Sequence, residues 1–197
     1  MRSSFPLFDS HLDLSHFYWQ RLVKKGDIVI DATCGNGKDT LKLCELALSP
    51  DTGIVYGFDV QIEAIAFTNE YLKEHLDAEL LTRLKLLQCS HAYFPEEIQT
   101  NSVSLIVYNL GYLPGGDKAK TTHTSSTLQS IENALMLLKM GGAISITCYP
   151  GHAEGNIEMD ALIQYASQLP PKEWSCCHHS WLNRRAAPSL LLMQKTL

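Results

Sequence analysis

The chain has 197 residues, 45% of them apolar and 19% charged, enough for one domain that buries most of the surface its unfolded form exposes. No apolar run approaches the roughly 20 residues of a membrane span; the first residues lack a signal-peptide core and the six cysteines lack the spacing of a disulfide framework, so the expected compartment is the cytoplasm. A net charge of −5 argues against generic nucleic-acid binding through a broad basic face, so any RNA contact has to be local.

In chain order, residues 8–24 place Leu12, Leu14, Phe17, Tyr18, Leu22 and Val23 at helical spacing, and Gly26-Asp27 ends that helix. It is expected to pack on the domain ahead of the first strand. Residues 28–33 read as that strand, 36–48 as a helix with Leu41, Leu43, Cys44 and Ala47 inward, 53–58 as the second strand and 62–75 as the next helix. Short apolar strands follow at 84–88 and 103–108, then a helix over 128–139 behind a hydroxyl-rich cap, a strand at 142–148 and a helix at 154–168. Residues 174–181 and 189–194 are strand-like with no helix between them, which predicts an antiparallel pair. The fold class is therefore α/β, a Rossmann-like doubly wound sheet of seven strands with an antiparallel C-terminal edge, in a single domain over 1–197.

The chemistry is expected at the carboxyl ends of the parallel strands, where such sheets bind ligands near the reversal of strand order. There the first apolar run ends in Asp31-Ala-Thr-Cys34-Gly35-Asn36-Gly37, and a second run closes on Asp59, 22 residues beyond Gly37. The glycines let backbone approach a ligand, and the acid at a strand tip is placed to accept from two ribose hydroxyls. This is the pattern of a nucleoside-cofactor enzyme. Gln61 lies two residues past Asp59. Ser90 and His91 either hold an adenine edge or cap a helix after the third strand. After the fourth strand, Asn109-Leu-Gly111-Tyr112-Leu-Pro-Gly-Gly-Asp117-Lys118 offers an Asn side chain, backbone carbonyls and a Tyr ring together, suited to gripping an amino group.

Together Asp-Ala-Thr-Cys-Gly-Asn-Gly-Lys-Asp-Thr, Gly-Phe-Asp-Val-Gln, Cys-Ser-His, the ten-residue Asn109 loop and Tyr-Pro-Gly-His resemble the class I S-adenosylmethionine methyltransferases long labelled rRNA methylases. The resemblance spans about Asp9 to Lys195. It implies S-adenosylmethionine as cofactor and transfer RNA, at its anticodon arm, as partner. The reaction it implies is methylation of the 5-aminomethyl group of wobble 5-aminomethyl-2-thiouridine. It also implies Asp31, Cys34, Gly35, Asn36, Gly37, Asp59, Gln61, Ser90 and His91 at the cofactor, and Asn109 with its loop at the substrate. One departure is Asn183-Arg184-Arg185-Ala-Ala-Pro188, where the family more often has Asn-Gln with further Asn and Pro.

Other features have two readings each. Thr121-Thr122 and the hydroxyl run after them either meet RNA phosphate or cap a helix, and His152 either meets the amine or phosphate or sits in a structural turn. Lys118, Lys120, Arg184 and Arg185 are the expected local basic patch. Cys176-Cys177-His178-His179 suggests a metal, but neighbours on a strand face opposite ways, so packing is preferred. Cys34 is assigned to the cofactor pocket, because one-step methyl transfer needs no nucleophilic thiol. Asp31, Asp117 and His152 are candidates for accepting a proton from the amine. The rival readings are a methyltransferase acting on rRNA or a small amine, a nicotinamide oxidoreductase, and a non-catalytic RNA-binding module. The second is disfavoured by Thr40 where a third glycine would stand, and the third by the intact cofactor turn. A homodimer is one way for an acidic protein to gain basic surface for RNA.

Overall fold

A computed structural model of the chain describes residues 10–111, 122–151, 153–184 and 186–197. Helix α1 (His11–Leu22) is followed by β1 (Ile28–Asp31), α2 (Lys38–Ala47), β2 (Ile54–Asp59), α3 (Ile62–His75), a short α4 (Ala78–Leu81) and β3 (Leu84–Gln88). Then come β4 (Val103–Asn109), α5 (Thr124–Leu137), β5 (Leu138–Cys148), α6 (Ala153–Gln168), β6 (Trp174–His179) and β7 (Ser189–Lys195). The seven strands form one sheet in the order β3-β2-β1-β4-β5-β7-β6, with β3 to β5 parallel and β7 antiparallel to both β5 and β6. This is the doubly wound sheet with an antiparallel edge that the apolar runs predict.

Strand periodicity splits the core into two layers. Val29, Val55, Leu105 and Val107 face Trp19 of α1 and Leu43, Cys44 and Ala47 of α2. Their neighbours Ile30, Tyr56, Ile106 and Tyr108 face Ile131 and Ala134 of α5 and Leu162 and Ala166 of α6. Burial on both faces explains why these strands are continuously apolar rather than alternating.

Helix α1 differs from its expected packing. Its Leu12 and Phe17 are exposed, and the buried positions are Ser15 and Trp19, whose indole Nε1 donates to Ser145 Oγ on β5 at 2.9 Å. A capping box starts the helix, with Ser10 Oγ accepting from the Asp13 N–H and the Asp13 carboxylate accepting from the Ser10 N–H. Helix α5 begins at Thr124, so the Ser/Thr run forms its first turn rather than a cap ahead of residue 128. The reason lies on α6. Glu154 Oε1 accepts from the Thr124 N–H and hydroxyl, and Glu158 Oε1 accepts from Thr127 Oγ1 at 2.6 Å. The hydroxyls are thereby satisfied inside a helix where they would otherwise compete with its backbone.

Candidate active site

The chain leaves β1 toward β2 and later returns to β4 on the other side of β1, so the reversal of strand order lies between β1 and β4. Open sheets of this kind bind ligands in a crevice outside the strand carboxyl ends at such a reversal. Residues 32–37 make its floor: the Ala32 N–H donates to the Val107 carbonyl, the Cys34 N–H to the Phe58 carbonyl and the Gly37 N–H to the Cys34 carbonyl. Gly35 and Gly37 have φ of 52° and 77°, and a Cβ on Gly37 would stand 3.1 Å from the Thr68 side chain. Glycine is required at 37 for both reasons. Gly37 is also the residue that caps α2, so the turn and the helix start are one feature.

Asp59, the last residue of β2, is oriented by this turn. Its Oδ2 accepts from the Gly35 N–H at 3.0 Å and its Oδ1 from the Gln61 N–H at 2.9 Å. A carboxylate has about four acceptor sites, so two remain for further donors. Thr68 Oγ1 donates to the Gly35 carbonyl and ties α3 to the same turn.

Asp31 is fully buried at the end of β1, with Oδ2 accepting from Thr40 Oγ1 at 2.7 Å and Oδ1 from the Thr33 N–H at 3.2 Å. Burial, with the nearby Asp39 charge, pushes its carboxyl up to about 7, against these two hydrogen bonds. Thr40 thus has a positive role at the position where a dinucleotide fingerprint would carry glycine. Cys34 is buried, and burial drives its thiol far up, which keeps it protonated and unsuited to nucleophilic attack.

Asn109 ends β4 on the far wall of the crevice. Its N–H donates to Thr33 Oγ1 at 2.7 Å, and its side-chain Nδ2 donates to Asp39 Oδ2 at 2.7 Å. The other Asp39 oxygen is 2.7 Å from His16 Nε2 on α1. Further along the wall, His11 Nε2 lies 3.2 Å from the Tyr149 hydroxyl, with the two rings edge to face. Burial holds the His11 imidazole below its usual range and pushes the Tyr149 phenol up to about 12, helped by the Asp39 charge. Sequence reasoning assigned no role to His11, His16, Thr33, Asp39 or Tyr149. Asp39 and Tyr149 stand inside the recurring motifs, but nothing in the sequence pairs Asp39 with a histidine 23 residues upstream.

Past Asn109, Gly111 and Thr122 close a neck. The Thr122 N–H donates to the Gly111 carbonyl at 3.1 Å, and the Gly111 N–H donates to Thr122 Oγ1 at 3.0 Å, which in turn donates to Glu158 Oε2 at 2.8 Å. Thr122 therefore anchors backbone. Tyr112, Asp117, Lys118, Lys120, Thr121, His152 and Arg185 lie outside the described residues.

His91 is placed differently from an exposed adenine ligand. Its imidazole is buried edge-on against Tyr108, burial lowers its pKa to about 4, and among the described residues Nδ1 has no hydrogen-bond partner. The Tyr108 hydroxyl bonds to Ser130 Oγ, which donates to the His91 carbonyl at 2.6 Å. Ser90 Oγ accepts from the Ala92 N–H and so caps a turn rather than a helix. Arg184 is exposed with its guanidinium 4.0 Å above the Trp181 ring. Because Cys148 pairs with Ser189 and His179 with Leu190, the end of β6 and the start of β7 that flank Arg184 lie at the carboxyl end of β5, on the crevice edge of the sheet. The Cys176–His179 run is on the edge strand β6, where the Tyr18 hydroxyl is 3.1 Å from His179 Nε2 and Cys177 Sγ is 3.5 Å from the same nitrogen. Among the described residues no group of three or more His, Cys, Asp or Glu side chains is arranged to hold a metal ion.

The family model described as "Putative rRNA methylase" matches residues 55–195. The chain belongs to that family. It is 37% identical, over 93% of its length and 68% of the relative's, to an Arabidopsis thaliana protein named tRNA (mnm(5)s(2)U34)-methyltransferase, chloroplastic. A Clostridium thermocellum structure described as a "putative rRNA-methylase" superposes with a TM-score of 0.88 at 33% identity, covering 95% of this chain and 98% of the other. A Streptococcus mutans "putative methyltransferase", solved in complex with SAH, superposes at 0.80 with 28% identity, covering 96% and 99%. The family, the sheet and the crevice together make the chain an S-adenosylmethionine-dependent methyltransferase.

Proposed function

We propose that the enzyme methylates transfer RNA at the wobble uridine, converting 5-aminomethyl-2-thiouridine to 5-methylaminomethyl-2-thiouridine. The observation that carries this reading is the 37% identity to a relative whose name specifies that product at U34. In this reading the cofactor ribose rests on Asp59, its methionine end lies over Gly35, Asn36 and Gly37, and Cys34, Gln61 and Ser90 complete the pocket. Asp31 has both oxygens engaged and no exposed surface. Its role is to face the cofactor's positive charge rather than to take a proton from RNA.

The acceptor enters beside Asn109, with Tyr112 offering a face to stack on the flipped base. The Asn109 carbonyl accepts an N–H of the neutral amine and directs its lone pair at the methyl carbon, so catalysis is chiefly positioning. As the N–C bond forms, the S–C bond breaks and its electron pair returns to sulfur. The sulfonium becomes a neutral thioether, and the new secondary ammonium releases its proton to solvent. An alkylamine is mostly protonated in water, and desolvation in the crevice favours the neutral form that reacts. His152 and Asp117 are the remaining candidates for accepting the first proton. Lys118, Thr121, Thr122 and Arg184 border the anticodon arm. The six cysteines are all free, as a reducing cytoplasmic setting would keep them.

The test is transfer of label from S-adenosylmethionine to transfer RNA from cells lacking this protein, with nucleosides resolved by mass spectrometry. Label in 5-methylaminomethyl-2-thiouridine, lost in Asn109→Ala, is the expected result. Label confined to ribosomal RNA would instead support the activity in the family's description. Label confined to a small amine would leave RNA out of the reaction.

A further inference from the structure

Asp39 is neither at the cofactor turn nor at the end of a strand, yet both its oxygens point into the crevice wall and both are used. A carboxylate can only accept, so the Asn109 group facing Asp39 Oδ2 must be its NH2. The orientation of the Asn109 amide, which is otherwise free to flip, is therefore set by chemistry. Its carbonyl oxygen is left as the group to meet a ligand. The Asn109 N–H, held by Thr33, fixes the backbone beneath that amide. Asp39 is itself held: its side chain is 15% exposed, and its second oxygen is bonded at 2.7 Å to His16, whose ring lies against Trp19. Trp19 is the residue that anchors α1 to β5.

We infer that Asp39, braced by His16, is a positioning residue that locks the Asn109 carbonyl toward the incoming amine, and that α1 is thereby part of the acceptor site. This rests on the functional reading above. It also accounts for the chemical class of acceptor, because a locked carbonyl favours a nucleophile bearing N–H over one with no hydrogen to donate. Without Asp39 the amide can turn its NH2 to the substrate, where it would compete for the nitrogen lone pair that must attack.

The experiment compares Asp39→Ala, Asp39→Asn, Asn109→Asp and the double variant Asp39→Asn/Asn109→Asp in the full chain. Cofactor affinity is measured by calorimetry, and kcat and KM by methyl transfer to the hypomodified transfer RNA. Asp39→Ala is expected to lower kcat about 100-fold with cofactor affinity nearly unchanged, the cost of misplacing a reacting group by about 1 Å. Asp39→Asn can still accept from Asn109 and turn its own NH2 to the other His16 tautomer, so it is expected to stay within about tenfold of wild type. Asn109→Asp opposes two carboxylates and is expected to be inactive. The double variant restores one donor and one carboxylate to the pair, and is expected to regain at least about tenfold over Asn109→Asp, a coupling that independent sites do not show. Equal kcat for Asp39→Ala and wild type would overturn the inference. So would failure of the double variant to recover activity, which decides the matter even where Asp39→Ala does not fold. An active wild type beside such variants would leave the functional reading standing. A wild type inactive on that transfer RNA would overturn the reading and this inference together.

Discussion

Replacing Asp31 with asparagine should stabilise the enzyme, and the gain should grow with pH. A carboxyl moved from 3.8 to about 7 prefers its protonated form by about 4 kcal/mol in the folded state. Below pH 3.8 the residue is protonated whether folded or unfolded and contributes nothing. Between 3.8 and about 7 the unfolded chain ionises while the folded one holds its proton, so this stability is lost progressively as pH rises. Above about 7 the loss is complete. The substituted amide carries no such penalty: its oxygen can accept from the Thr33 N–H and its NH2 can donate to Thr40 Oγ1. The Thr40 hydroxyl then loses its acceptor, which costs about 1 kcal/mol at every pH. The variant's stability relative to wild type should therefore rise by about 3 kcal/mol between pH 5 and pH 8. His91 has the opposite slope, because its lowered pKa of about 4 withdraws stability as pH falls from 6.5. It is present in both proteins and cancels in the comparison. Urea unfolding of the cofactor-free proteins at pH 5, 6, 7 and 8 measures the gap directly. A gap that stays constant or shrinks as pH rises would refute the reasoning. The same charge should matter for binding: wild type should bind S-adenosylmethionine more tightly as pH rises through about 7, while Asp31→Asn loses that dependence.

Glu158→Ala leaves the Thr122 and Thr127 hydroxyls without their carboxylate and loosens the Gly111–Thr122 neck. It should cost about 2 to 3 kcal/mol, read as a lower melting temperature, with Glu158→Gln losing less. Arg184→Ala should raise KM for transfer RNA by about threefold to tenfold with kcat unchanged, and should flatten the dependence of KM on salt by about one phosphate contact. An unchanged salt slope would remove Arg184 from the RNA interface.

Much of the fold could be read locally. The apolar runs of β1, β2 and β4 are continuous because both faces of the sheet are covered, and the alternation of these runs with helical periods implies parallel pairing. The turn at Gly35 and Gly37 was visible because positive φ demands glycine, and Asp59 because a strand that stays apolar up to an acid marks its carboxyl end. Helix α5 was less legible. Its hydroxyl run looks like a cap until Glu154 and Glu158 arrive from α6, and those carboxylates are about 30 residues away in sequence. The burial of His91 was likewise invisible, since it depends on where Tyr108 and α5 stand.

By itself, then, the sequence determined the sheet, the glycine turn after β1 and the acid that ends β2, because each depends on neighbours within one strand-turn-helix unit. The tertiary structure decided the hydrogen-bonded cluster at the end of β4. His16, Asp39 and Asn109 come from α1, α2 and β4, separated by 23 and 70 residues, and His11 meets Tyr149 across 138. Hydrogen bonds of about 2.7 Å between such groups leave no periodic or compositional trace, since each needs only one polar side chain per element. They exist because Trp19 docks α1 across β5 and the order of strands sets the ends of β1, β4 and β5 side by side.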